Sequence, residues 1–446
     1  MSVRVGMVSL GCPKNQVDAE QVLYKLREDG FEIVADAALA DVVLINTCGF
    51  IESAKQESIE TILEFCTLKN EGKIKSVIVT GCLAERYREE ILKEIPEASA
   101  VVGIGSNKDL TEIINTTLAG ERLERYGEKG NLDINRKRIV STTPFYAYLK
   151  IAEGCDNNCT YCAIPSIRGK FRSRTKESIV EEANWLAKND VREIVLVAQD
   201  TTRYGEDLYG KSELPSLLNE LCKIENLKWI RVLYCYPERI TDELIDVIAS
   251  QEKIVKYLDI PIQHINKDIL KRMNRPGDEK TIRELIIKLR EKIDGMVIRS
   301  TLITGFPGET DEQFEQLADF VKEMKIDRLG CFAYSQEEGT AAAKFDDQID
   351  MSIREHRAEI IMDEQMRVSD ELNKKLLGKD IEVVVEGFDR YAECFFGRSY
   401  AEAPEIDGKI FFTSENKLSV GQFVTIKIDD TLDYDLLGAV KDESSK

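Results

Sequence analysis

Three apolar runs in the first hundred residues each end beside a glycine and a cysteine: "VSLGCP", "LINTCG" and "VIVTGCL". The pairs are Gly11 with Cys12, Cys48 with Gly49, and Gly81 with Cys82. Amphipathic stretches such as "NQVDAEQVLYKLREDG" and "SAKQESIETILEFCTLKNEG" separate the runs. This β-α-β-α-β order predicts a parallel sheet with helices on its faces. In such a sheet every strand-to-helix junction lies at the C-terminal edge, where ligands bind. Cys12, Cys48 and Cys82 are therefore expected to meet, although dozens of residues separate them. Their glycines allow tight turns and close approach of a bulky ligand. The bland alternative is three buried thiols, since cysteine is among the most buried residue types. Cysteine at all three junctions favours a shared ligand.

A second group stands in "KIAEGCDNNCTYCAIPSIRGKFRSR", where Cys155, Cys159 and Cys162 follow the strand-like "YAYLKIAEG". Zinc is the conservative reading, but structural zinc takes four ligands, and both histidines, His264 and His356, are distant in sequence. A 4Fe–4S cluster on three cysteines leaves one iron open to a cofactor or substrate. Two sites, each one ligand short, fit two clusters better than one shared cluster. Of the eleven cysteines, Cys66, Cys222, Cys235, Cys331 and Cys394 lack the glycine-flanked strand-end setting and read as packing residues. An odd number of cysteines in a long chain argues against a disulfide framework.

With 446 residues the chain predicts two or three domains. The first is expected over 1–120 and a charged linker over 121–143. A second domain over 144–375 alternates "EIVLVAQD", "WIRVLYCYP", "YLDIPIQ", "MVIRSTLITGFPG" and "RLGCFAYS" with helical segments, as in a partial β/α barrel. A polar helix near 352–377 closes it. From 376 to 446 short alternating strands predict a small all-β barrel. The fold class is thus α/β with a C-terminal all-β unit. No apolar run reaches membrane-spanning length, and the N-terminus begins like a strand, so a cytoplasmic protein without a membrane partner is expected.

The formal net charge is −20. That repels a polyanion unless basic residues are grouped, and attracts a basic protein. The alternative is that acidity serves only solubility.

The C-x3-C-x2-C spacing, with Tyr161 before its last cysteine at the mouth of a β/α barrel, resembles the radical S-adenosylmethionine enzymes. Together with the N-terminal cysteines, the whole chain resembles their methylthiotransferase family, which joins an N-terminal methylthiotransferase domain, a radical barrel and a C-terminal TRAM domain. One branch of that family modifies an adenosine in tRNA; the other modifies an aspartate in small-subunit ribosomal protein S-twelve. "SLGCPKNQVDAE", "INTCGFIESAKQESI", "GCLAERY", "CAIPSIRGKFRSR", "YCYPERIT", "IPIQHINKDILKRMNR" and "AYSQEEGT" are similar to the second branch. The tRNA branch tends toward "QSG" where His264 stands and toward Arg-Pro where Glu337 and Glu338 stand. Gln16, in place of a more usual leucine, and Asp156-Asn157-Asn158, without a basic residue, depart from the pattern.

The resemblance implies that Cys155, Cys159 and Cys162 hold a radical cluster that binds S-adenosylmethionine. Cys12, Cys48 and Cys82 would hold a second 4Fe–4S cluster carrying sulfur from a sulfide or persulfide source. A second S-adenosylmethionine would supply the methyl group. Tyr161, Arg168, Gln199, Asp200, Gly305 and Glu309 are the expected cofactor contacts; no catalytic side chain is assigned. Asp200 and Glu309 could equally serve helix N-termini. Lys170, Arg172 and Arg174 read equally well as a solvated basic loop, and His264 as a core residue. The expected partners are the basic ribosomal protein, free or in its subunit, and a single-electron donor protein, with the enzyme a monomer. Nucleic acid is not the expected substrate: from Gly378 onward acidic residues outnumber basic ones about two to one, and an oligonucleotide-binding-type barrel can serve a basic protein loop instead. The rival readings are a tRNA adenosine methylthiotransferase and a non-catalytic iron–sulfur or zinc protein.

Overall fold

In the computed structural model, which describes residues 2–135 and 137–441, the first unit is a six-stranded parallel sheet. Its strands are β1 (Arg4–Ser9), β2 (Glu32–Ile33), β3 (Val42–Thr47), β4 (Ser76–Gly81), β5 (Ala100–Val102) and β6 (Leu123–Arg125), in spatial order β2-β1-β3-β4-β5-β6. Every residue of β3 and β4 is buried, as a central strand covered on both faces requires. Helices α1 (Pro13–Glu28) and α4 (Leu110–Leu118) pack Val22, Leu26, Ile113 and Ile114 on one face. Helices α2 (Glu52–Asn70) and α3 (Cys82–Glu94) pack Ile62, Phe65, Leu83 and Ile91 on the other.

Strand order reverses between β1 and β3. At such a switch point adjacent connections leave in opposite directions and open a crevice at the carboxyl ends of the strands. Cys12 follows β1 and Cys48 follows β3, so two of the glycine-flanked cysteines flank that crevice; Cys82 follows the neighbouring β4.

The second unit begins with β7 (Tyr146–Lys150). A two-residue antiparallel ribbon, β8 (Ala152–Glu153) with β9 (Arg172–Ser173), then closes the excursion that carries Cys155, Cys159 and Cys162. The sheet continues through β10 (Glu193–Val197), β11 (Trp229–Val232), β12 (Ile254–Asp259), β13 (Val297–Thr304) and β14 (Arg328–Ala333). All six large strands are parallel and each lies beside its predecessor, from β7 at one edge to β14 at the other. The barrel is therefore partial. Its outer face packs on the surrounding helices. Its inner face carries Tyr146, Tyr148, Val195, Trp229 and Tyr257, covered by Val17 of α1 and by Val384 and Ala403 of the C-terminal unit.

That last unit is a closed barrel of β15 (Asp380–Asp389), β16 (Cys394–Arg398), β17 (Ile410–Thr413), β18 (Phe423–Thr431) and β19 (Leu436–Val440). Buried ion pairs join it to the partial barrel: Glu193, which also pairs with Arg231 of its own barrel, to Arg398, and Arg328 to Glu402.

Two features depart from the expectations. The N-terminal sheet has six strands rather than three, because β2, β5 and β6 are too short to show a period. The stretch read as a linker opens with β6, and its Arg138 is buried in ion pairs with Glu20 and Glu182. Arg136 of that stretch and residues 442–446 at the end of the expected C-terminal unit lie outside the described residues.

Candidate metal centre and cofactor site

Each glycine of the first triad permits one close approach. Gly11 has φ +87°, and a Cβ there would lie 2.9 Å from the Cys48 sulfur. A Cβ on Gly49 would lie 2.7 Å from Leu83 Cα, and one on Gly81, at φ +93°, 2.5 Å from the Thr47 carbonyl oxygen. Only glycine satisfies these positions, and together they draw the three junctions into one place. Cys48 is fixed further by Ser58, which accepts from its N–H at 3.0 Å and donates to its carbonyl at 2.9 Å.

In the second triad Gly154, at φ +77°, lets the chain pass where a Cβ would lie 2.1 Å from the Lys170 carbonyl oxygen. The Cys155 N–H donates to Gly169 O at 3.1 Å and the Cys162 N–H to Cys159 O at 3.0 Å. Thr160 anchors the loop's far side, its N–H on Met273 O at 3.0 Å and its hydroxyl on Arg272 O at 2.8 Å. Asn157 donates to Asp200 at 2.8 Å. The residue that departs from the family pattern thus ties the cysteine loop to the end of the second barrel strand.

Two clamps bring the triads together. Arg168, at the end of α5 (Ile164–Arg168), is 2% exposed. It donates to the Cys82 sulfur at 3.2 Å and to Asn15 at 2.9 Å, and pairs with Asp18 and Glu153. Cys82 also packs directly on Ala163 and Ile167. On the opposite side Glu337 pairs with Arg86 at 2.8 Å and Lys55 at 3.1 Å, and Arg86 donates to Gly49 O at 2.9 Å.

Burial pushes the Cys82 thiol up to about 12 and Cys155 to about 11, and raises Cys48 and Cys162 as well. A metal that takes these sulfurs must displace their protons. Among the described residues no three His, Cys, Asp or Glu side chains are gathered closely enough to hold a single ion. The donor set, three thiols at each of two glycine-lined turns, fits two clusters that each leave one iron open.

The remaining expected contacts divide. Tyr161 packs against Ile269, Met273, Phe306 and Tyr334 beside the second triad. Gln199 donates to Glu153 at 2.8 Å, leaving its own carbonyl oxygen buried without a partner. Asp200 makes no helix cap; it accepts from Asn157 and from Thr202 at 2.6 Å. Gly305 does permit a close approach, but Arg354 makes it, with its Cγ 2.4 Å from where a Cβ would stand. Glu309 accepts from the Gly305 N–H at 3.0 Å, pairs with Arg357 at 2.7 Å, and has His264 Nε2 at 3.4 Å. Thr310, not Glu309, caps the following helix. His264 is fully buried, as a core residue would be. Of the basic stretch after the cysteines Lys170 is exposed, whereas Arg172 donates to Gly130 O at 2.7 Å and Arg174 pairs with Glu182 at 2.5 Å.

Sequence reasoning missed Glu153, Tyr236 and Arg275. Tyr236 lies 3.5 Å from the Cys159 sulfur, and Arg275 stacks on the Tyr236 ring with its Nε buried and unpartnered. Glu153 had a signal, a carboxylate directly before Gly154 at a strand end.

Comparison with known proteins agrees with the three units. Residues 149–321 match the Radical SAM superfamily, 4–103 the "Uncharacterized protein family UPF0004" and 377–440 the TRAM domain. A ribosomal protein uS12 methylthiotransferase RimO from Clostridium botulinum is 48% identical over 445 residues, covering 100% of this chain and 99% of its own. A protein of the same name from Desulforamulus reducens is 51% identical over 439 residues, covering 97% and 98%. In fold, the chain is similar to the radical S-adenosylmethionine methyltransferase TsrM from Kitasatospora setae, with TM-score 0.56 at 14% identity, covering 75% and 72%. With full-length relatives at about half identity and a cysteine triad at each of two converging strand ends, the chain belongs to the RimO family of radical S-adenosylmethionine methylthiotransferases.

Proposed function

We infer that this chain is a radical S-adenosylmethionine methylthiotransferase that places a methylthio group on the β-carbon of an aspartate in ribosomal protein uS12. The observation that carries this reading is the meeting of two separate thiol triads at one domain junction, in a chain about half identical to RimO proteins along its length. When bound, the clusters and S-adenosylmethionine supply one-electron chemistry at an unactivated carbon together with the sulfur and methyl group to be inserted.

The protein's part is holding, aiming and excluding water. Cys155, Cys159 and Cys162 hold the radical cluster, and Cys12, Cys48 and Cys82 the sulfur-carrying one. Tyr161 and Tyr236 wall the radical cluster's side. Gln199 and Asp200 stand at the barrel mouth, and the free Gln199 oxygen is positioned to accept from the cofactor. Arg168 serves the first triad through Cys82 rather than the carboxylate of S-adenosylmethionine. Gly305 and Glu309 hold the long helix Met351–Lys374 through Arg354 and Arg357 and need not touch the cofactor.

A net charge of −20 suits a basic protein substrate. A single-electron donor protein, a monomeric state and a cytoplasmic location complete the reading. Among the described residues no helix is long and apolar enough to cross a membrane. Anaerobic reaction followed by mass spectrometry tests the assignment. A methylthio mass gain on the aspartate-bearing peptide of uS12 is expected; a gain on a tRNA nucleoside instead overturns it.

A further inference from the structure

Three lysines of the described chain are buried: Lys14, Lys55 and Lys150. Lys150 pairs with Asp18 and Glu153, and Lys55 with Glu52 and Glu337. Lys14, 7% exposed, has no carboxylate partner among the described residues. Its ammonium stands 3.4 Å from the centre of the Tyr234 ring. Asp18, one helical turn along α1, is already taken by Lys150 and Arg168. Beside the Tyr234 ring the ammonium has the Cys12 sulfur for support and the Arg168 guanidinium against it, and a buried charge without a carboxylate partner is costly. An arrangement of this kind gains most when an anion arrives.

Position indicates which anion. Lys14 lies in the first turn of α1, two residues past Cys12. Tyr234 lies just past the end of β11, at the barrel mouth, in a left-handed conformation with φ +62°. It is held there by its N–H donating to Asp259 at 3.1 Å. The ammonium therefore spans the gap between the first triad and the barrel mouth, the space a substrate carbon must occupy to be reached from both.

We propose that Lys14 receives the side-chain carboxylate of the substrate aspartate and so selects aspartate over its uncharged analogues. This rests on the methylthiotransferase reading. S-adenosylmethionine carries a carboxylate too, but Lys14 sits beside the first triad, whereas the cofactor is assigned to the second. Lys14 is a specificity residue here, acting through charge and reach.

The test uses full-length enzyme, loaded anaerobically, and two fluorescent peptides of the uS12 target loop, with aspartate or asparagine at the modified position. Wild type is expected to bind the aspartate peptide on the order of 30-fold more tightly. Lys14→Gln is expected to bind the two peptides alike, and Lys14→Arg to recover a preference. A wild type that binds the two equally, a Lys14→Gln that keeps the preference, or a Lys14→Arg without any preference overturns the proposal. So does a Lys14→Gln variant that loses only affinity for S-adenosylmethionine or only iron, since either would assign Lys14 to the cofactor or to the thiolates. If wild type methylthiolates uS12 yet ignores the aspartate-to-asparagine change, this inference alone fails. If uS12 is never modified, the functional reading fails with it.

Discussion

The guanidinium of Arg168 lies between the two cysteine sets and donates to the Cys82 sulfur at 3.2 Å. Arg168 belongs to the barrel, on the helix directly after Cys162, whereas Cys82 opens a helix of the N-terminal unit. One side chain thus reaches from the loop of one triad to a sulfur of the other. Its two terminal nitrogens also serve Asp18, Glu153 and Asn15, so its orientation is fixed from four directions.

Arg168→Met removes a positive donor from the Cys82 sulfur, a proposed cluster ligand. Hydrogen bonds and charge around such sulfurs raise a cluster's reduction potential. The cluster on Cys12, Cys48 and Cys82 is expected to titrate at a more negative potential in this variant, with the other cluster unmoved, in an EPR-monitored redox titration. A shift confined to the Cys155 cluster would assign Arg168 to the wrong site.

Gly11→Ala puts a Cβ 2.9 Å from the Cys48 sulfur at a φ of +87°. A side chain in that conformation costs about 1–3 kcal/mol, and the clash displaces Cys48, a proposed ligand, as well. Urea unfolding should show that loss, and iron analysis should show selective depletion of the first cluster. Full iron content would mean that the close approach of the two turns does not matter.

Glu337→Ala leaves Arg86 and Lys55 without their shared partner. Glu337 and Arg86 are 4% and 7% exposed at their side chains, and removing one partner of a buried pair costs about 3–5 kcal/mol. Chemical denaturation is expected to show most of that loss. The double variant with Arg86→Ala should cost less than the sum of the single changes. Strict additivity would show that the two side chains do not act together.

Acid is expected to loosen the C-terminal barrel. Burial alone would raise the Glu193 carboxyl, but Arg398 and Arg231 outweigh it and hold it below the usual carboxylate range. A depressed carboxylate contributes stability that is fully present above the unfolded value, about 4.3, and is lost as pH falls through the folded value. The difference in melting temperature between wild type and Glu193→Gln should therefore shrink below about pH 4.3. A constant gap would contradict the ion-pair account.

Legibility in the sequence followed range. Four cysteines stood out because a glycine at a strand end marks each, Cys159 and Cys162 by their spacing after Cys155, and the long strands were visible in their apolar runs. Arg174 looked like part of a wet basic loop, and Arg168 like a cofactor contact, because Asp18, Glu153 and Glu182 are distant in sequence or carry no local mark. Gly305 and Glu309 looked like cofactor contacts because a strand-end glycine and carboxylate look the same whether a ligand or Arg354 and Arg357 fill the space. Strands β5 and β6 escaped because three residues carry no period. Lys14 could be seen only once its neighbours were known to be spoken for.

Iron and sulfide quantitation of anaerobically reconstituted wild type, Cys12→Ala and Cys155→Ala tests the central claim most directly. Two independent three-thiol sites predict about eight irons per chain in wild type and about four in each variant. Only Cys155→Ala should abolish production of 5′-deoxyadenosine. About four irons in wild type, or loss of all iron from either single variant, would contradict two separate centres.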